Sequence, residues 1–180
     1  MKKLSYKVAL GGIIAALALL IMFFTGLGPF LTYLCPMTAG ILLVAVVIEI
    51  SKKWAFATYC AIALLSAFIT PDKEAAMLFI AFFGYYPILK SILEKIKFRA
   101  LEWACKFAVF NVSVISAYWI LMNVFGMGQI LDALGEWGKY GILIFILAAN
   151  AVFVLYDLTI SNIAITYINK LRPILIRKLK

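Results

Sequence analysis

Six apolar runs, each about as long as a bilayer crossing, fill the chain, and nearly every cation falls at their ends. Roughly 20 apolar residues span the hydrocarbon core as a helix. Lipid offers the backbone no hydrogen-bond partner, so such a run must satisfy its own amides and carbonyls, which a helix does. The runs predict helices over 7–25, 31–50, 54–70, 74–90, 102–124 and 140–169. The expected fold is an all-α membrane protein, a bundle of six transmembrane helices forming a single domain over 1–180. The cations set the orientation. Fifteen of the 17 Lys and Arg residues fall at ends that are cytoplasmic if both termini are cytoplasmic, leaving Lys73 and Lys139 outside. That bias follows the positive-inside rule and predicts a multi-pass protein of the cell (plasma) membrane.

Composition removes most alternatives. At 66% hydrophobic residues and a mean hydropathy of +1.07, a soluble domain of this length could not hide its apolar surface. The net charge of +9 does not point to nucleic acid, because the cations sit where topology and anionic headgroups require them. Membrane lipids are the expected partners. The chain has no histidine, and Cys35, Cys60 and Cys105 have no disulfide or metal spacing, so they read as small apolar residues. No nucleophile elbow, carboxylate cluster or phosphate loop occurs. No catalytic residue, metal or cofactor is expected. Met1-Lys-Lys before an apolar run resembles a signal peptide, but the run is long and lacks a clear cleavage site, so it reads as a retained first helix.

Against this background the polar residues inside spans stand out. Asp157 lies about eleven residues from the inner end of the last span, roughly 16 Å deep at about 1.5 Å per residue. A carboxylate at that depth needs a partner. Asn111 lies nine residues above Glu102, at a similar depth, so Asn111 and Asp157 form a candidate buried polar pair. Two readings stand. Asp157 is a substrate or cation contact or a proton carrier, in which case Asp157→Asn alters binding or turnover more than folding. Otherwise it fixes packing, paired with Asn111, a tyrosine hydroxyl or Lys106. Tyr85 and Tyr86, at the inner end of the fourth span, are either headgroup-belt residues or walls of a buried polar cluster.

The outer ends offer a second set. Thr25, Tyr33, Thr38, Trp119, Asn123 and Trp137 combine aromatic planes with hydroxyl and amide groups, the mixture that holds a small organic ligand. The glycine-rich outer segments at 25–30 and 126–139 read as lids over it, with a turn of interfacial helix at 130–134. The inner segment 91–101 reads as a short surface helix. On the first helix, Gly11/Ala15 and Gly12/Ala16 are four apart, a spacing that lets another helix approach closely, within the bundle or from a partner.

These features together resemble the substrate-binding S component of energy-coupling factor transporters: small size, six spans, both ends inside, a small-residue face on the first helix and glycine-rich outer loops. The resemblance covers the whole chain and is architectural. It implies a vitamin or its precursor bound near the outer face, a transmembrane coupling subunit docking on the first helix, and partner ATPases. In that family the docking residues are alanines four apart on the first helix. Here Gly11, Gly12, Ala15 and Ala16 occupy that helix, and the alanine pairs Ala57/Ala61 and Ala63/Ala67 fall on the third. The competing classes are a ligand-free scaffold or assembly protein of the cell envelope and a small lipid-acting membrane enzyme.

Overall fold

The computed structural model describes residues 4–127 and 140–172. Trp137, the turn at 130–134, all but the first two residues of the expected lid at 126–139, and residues 173–180 lie outside the described residues. Within them the chain is all helical, and six stretches are long and apolar enough to cross a membrane. The first is α1 (Leu4–Phe23), ending in a 3₁₀ turn at Phe24–Leu27. Gly28 and Pro29 separate it from α2 (Leu31–Glu49). Ser51 caps α3 (Lys52–Ile69), its Oγ accepting from the Trp54 amide at 3.4 Å.

The fourth span is broken. Asp72 caps α4 (Lys73–Leu78), its Oδ1 accepting from the amides of Glu74 and Ala75 at 2.9 and 3.3 Å. A π-helical turn follows at Phe79–Phe83, and after Gly84 a new helix, α5 (Tyr86–Leu93), begins with Pro87 in its first turn. Pro87 has no N–H for the carbonyl four residues back, that of Phe83. The Tyr156 hydroxyl donates to that oxygen instead, at 3.2 Å. Tyr59 likewise donates to the carbonyl of Ile80 at 2.6 Å. Phenols from two other helices thus supply donors along the break.

Because α5 runs on to Leu93 and α6 (Arg99–Asn123) starts at Arg99, residues 94–98 alone connect them. The surface helix expected over 91–101 is not formed: Ser91 stays helical and donates its Oγ to the Ile88 carbonyl at 2.6 Å. The last span is α7 (Gly141–Thr166), closing in a π-helical turn at Tyr167–Leu171.

The fourth span is the axis of the bundle. Some 56% of its most apolar stretch is buried, against 22% for the last span, which lies at the periphery. One core cluster joins it to α6 and α7 through Phe82, Tyr86, Phe110, Phe153 and Tyr156. The other joins α1, α2 and α3 through Ile14, Ala18, Leu43, Ala55 and Ile62, and includes Phe79 and Ile88 of the fourth span. Arg172 meets Glu49 at 3.3 Å and Lys52 donates to the Ser91 carbonyl at 2.8 Å. The ends of α2, α5 and the last span and the start of α3 therefore gather at one end of the bundle, called here the basic end.

Candidate functional site

At the end of the bundle opposite the basic end, α4 presents two carboxylates to α2 and α6. Asp72 keeps Oδ1 on its helix cap and accepts from Thr32 on Oδ2 at 2.6 Å. Glu74 accepts two phenols on the same oxygen, Tyr33 at 3.0 Å and Tyr118 at 2.6 Å. These contacts tie three helices together around one acid.

Beside this cluster lies a cavity of about 280 Å³. Its walls come from Tyr33 and Met37 of α2, Leu78 and Phe83 of the fourth span, and facing residues of α6 and α7. Phe110 and Phe153 stack at 4.7 Å with 12° between their planes, and Tyr118 meets Phe145 edge-on at 5.4 Å. The hydroxyls of Tyr33 and Tyr118 are the polar side-chain groups of the lining, and Glu74 holds both. An apolar chamber with a few convergent polar groups at one end is what small-molecule sites require.

Of the six residues expected around an outer pocket, the structure brings Tyr33 to this cavity. Thr25 is buried elsewhere, donating to the Met22 carbonyl at 2.9 Å. It borders a separate hollow with Gly28, Thr32 and Asp72. Thr38 turns onto its own helix, bonding the carbonyls of Leu34 and Cys35 at 3.0 and 2.9 Å. Trp119 is 59% exposed, and Asn123 spends its amide on the Trp119 carbonyl at 2.8 Å. Trp137 lies outside the described residues. Sequence reasoning missed Glu74, Tyr118 and the phenylalanine walls. Glu74 lies in the first turn of α4, where an acid suits the helix dipole without any further role, and phenylalanines in apolar spans carry no mark.

Toward the basic end a second polar group sits in the core. Asp157 Oδ1 accepts from the Tyr86 hydroxyl at 2.5 Å and from Lys90 at 2.6 Å, and Lys106 Nζ lies 3.2 and 3.3 Å from its two oxygens. Lys90 and Lys106 are 3% and 2% exposed. Each ammonium has a second carboxylate: Glu94 at 2.8 Å from Lys90 and Glu102 at 2.7 Å from Lys106. Lys106 also rests over the Trp103 ring, 5.0 Å from its centroid. With both oxygens engaged, Asp157 works as a fastening between α5, α6 and α7. Tyr86 is a wall of this cluster, while Tyr85 bonds Ser113 at 2.7 Å.

Asn111 does not reach Asp157. It pairs with Asn150, each Nδ2 donating to the other's Oδ1 at 3.0 Å. Each Nδ2 also donates to the carbonyl one turn back, of Phe107 or Ile146, at 2.9 and 2.8 Å. Hydrogen bonds between membrane helices contribute about 0.6 kcal/mol on average and at most about 1.7. A double-mutant cycle of Asn111→Ala and Asn150→Ala, read as thermal stability in detergent, is expected to give a coupling of about 1 kcal/mol. Zero coupling would show that the amides do not meet.

On α1, Gly11 packs inside the bundle, where an added Cβ would lie 3.1 Å from the Thr58 hydroxyl, and Ala15 is half-buried. Gly12 and Ala16 are exposed, with open space at Gly12. On the neighbouring α3, Ala57 and Ala61 are also exposed. Compared with known proteins, the chain matches no family model, no curated protein and no solved structure.

Proposed function

We propose that the chain is an integral membrane substrate-binding subunit for uptake of a small organic molecule, a vitamin or precursor, and that it works with a transmembrane coupling subunit and ATPases. The observation that carries this reading is the apolar, aromatic-walled cavity whose two polar lining groups, the phenols of Tyr33 and Tyr118, are held by Glu74. The basic end is cytoplasmic in this reading, which puts the cavity toward the outer face, where an uptake system meets its substrate. The exposed small residues Gly12 and Ala16 of α1, with Ala57 and Ala61 of α3, provide a face for close helix approach by the coupling subunit.

The test is a thermal-shift screen of the purified chain against a panel of vitamins and precursors, alongside co-purification from its native membrane. Stabilisation by one compound together with recovery of a membrane subunit and ATPases supports the proposal. Isolation as a lone oligomer that no compound stabilises would move the protein to the scaffold class.

A further inference from the structure

We propose that the cavity selects a lipophilic aromatic ring bearing one protonated nitrogen and rejects carboxylated and phosphorylated ligands. This deepens, and rests on, the reading of the cavity as a ligand site. The volume, about 280 Å³, lies at the lower edge of the ligand-pocket range and suits one ring or a fused pair. The charge behind its polar end is negative: Glu74 does not line the cavity but accepts from both of the phenols that do. Both phenols give their protons to Glu74 Oε1, so toward the cavity their oxygens can only accept.

No lysine or arginine lines the cavity among the described residues. Lys73, the cation nearest in sequence, turns away, donating to the carbonyls of Ala67 and Thr70 at 3.1 and 3.4 Å. An anionic ligand would meet the acceptor oxygens of Tyr33 and Tyr118, with Glu74 behind them and no cation among the described lining residues to neutralise it. An ammonium gains from the aromatic walls and from charge-assisted hydrogen bonds to the two phenol oxygens, which are polarised by Glu74 behind them. A bilayer acyl chain, the other guest an apolar cavity admits, has no use for the acid.

The probes are three indoles of matched shape: tryptamine, tryptophol and indole-3-propionate, carrying a cation, a neutral hydroxyl and an anion. Binding to the full chain in detergent is followed by thermal shift and calorimetry. Tryptamine is expected to bind about tenfold or more tighter than tryptophol, since a hydrogen bond to a charged group adds about 1.5–3 kcal/mol, and indole-3-propionate weakest of all. Glu74→Gln, whose amide oxygen still accepts the two phenols, should abolish the preference for tryptamine over tryptophol while the unliganded protein still melts cooperatively. Ala149→Phe, which fills the cavity from α7, should remove binding of all three while the unliganded protein still melts cooperatively.

Equal or tighter binding of tryptophol or the propionate, blocked by Ala149→Phe, overturns the cation preference and leaves the site standing. Tryptamine binding that survives Ala149→Phe places it elsewhere and overturns the site itself. Failure of all three probes, or a co-purified lipid chain that they do not displace, overturns the cation proposal while the vitamin screen still judges the wider reading.

Discussion

Replacing Asp157 with alanine is expected to destabilise the protein by about 3 kcal/mol and to deplete it from the membrane fraction. Removing one member of a buried ion pair costs about 3–5 kcal/mol, because the remaining charge stays desolvated without its partner. Here two ammonium groups, 3% and 2% exposed, lose their shared anion, and the Tyr86 hydroxyl loses its acceptor. The lower end of the range applies because Glu94 and Glu102 remain at 2.8 and 2.7 Å. Asp157→Asn keeps the shape and an acceptor for Tyr86 but not the charge, so it should lie between alanine and the native protein. The expected effect thus moves from turnover to folding. The decisive comparison is the triple variant Asp157→Asn, Lys90→Met, Lys106→Met. Removing all three charges lifts the desolvation cost, and much of the lost melting temperature should return. Native-like stability of Asp157→Ala, or a triple variant no better than the single, would sink the argument.

The cluster also shows which layer of structure a sequence discloses. Span number and position follow from apolar runs, and the observed ends fall within a few residues of the expected ones for most helices. Lateral geometry does not follow. Asn111 and Asp157 were matched by depth alone, counted from Glu102 on one helix and from the end of the last span on the other. In the structure α6 begins at Arg99, the last span continues to Leu171, and the partner of Asn111 is Asn150, two turns above Asp157 on the same stripe. Lys90 and Lys106 resembled ordinary topology markers because lysines at span ends normally reach the headgroups. Both are buried instead, their ammonium groups held by Asp157 together with Glu94 and Glu102. Glu74 needed contacts 41 and 44 residues away to be seen as more than a first-turn acid.

Gly40→Ala is the smallest substitution with a large expected effect. An added Cβ at Gly40 would lie 2.2 Å from the Phe83 carbonyl oxygen and 2.6 Å from the Tyr156 hydroxyl. That oxygen is the one Pro87 leaves without a helical donor, and Tyr156 supplies the replacement. The obstacle is mainly backbone, so rotamer change cannot relieve it. Either α2 moves away from the fourth span or the Tyr156 bond breaks. Overpacking costs about 1–3 kcal/mol and the lost hydrogen bond about 0.5–1.5 more, so Gly40→Ala should cost about 2–4 kcal/mol. Gly12→Ala is the control: nothing lies within 4 Å of its added Cβ, and alanine is the better helix former. Melting of the two variants in the same detergent decides the matter. If they melt together, α2 does not pass this close to the break, and the joint between α2, the fourth span and α7 is looser than its geometry indicates. If Gly40→Ala alone falls, adding Tyr156→Phe should not rescue it, because the contact with the Phe83 oxygen remains.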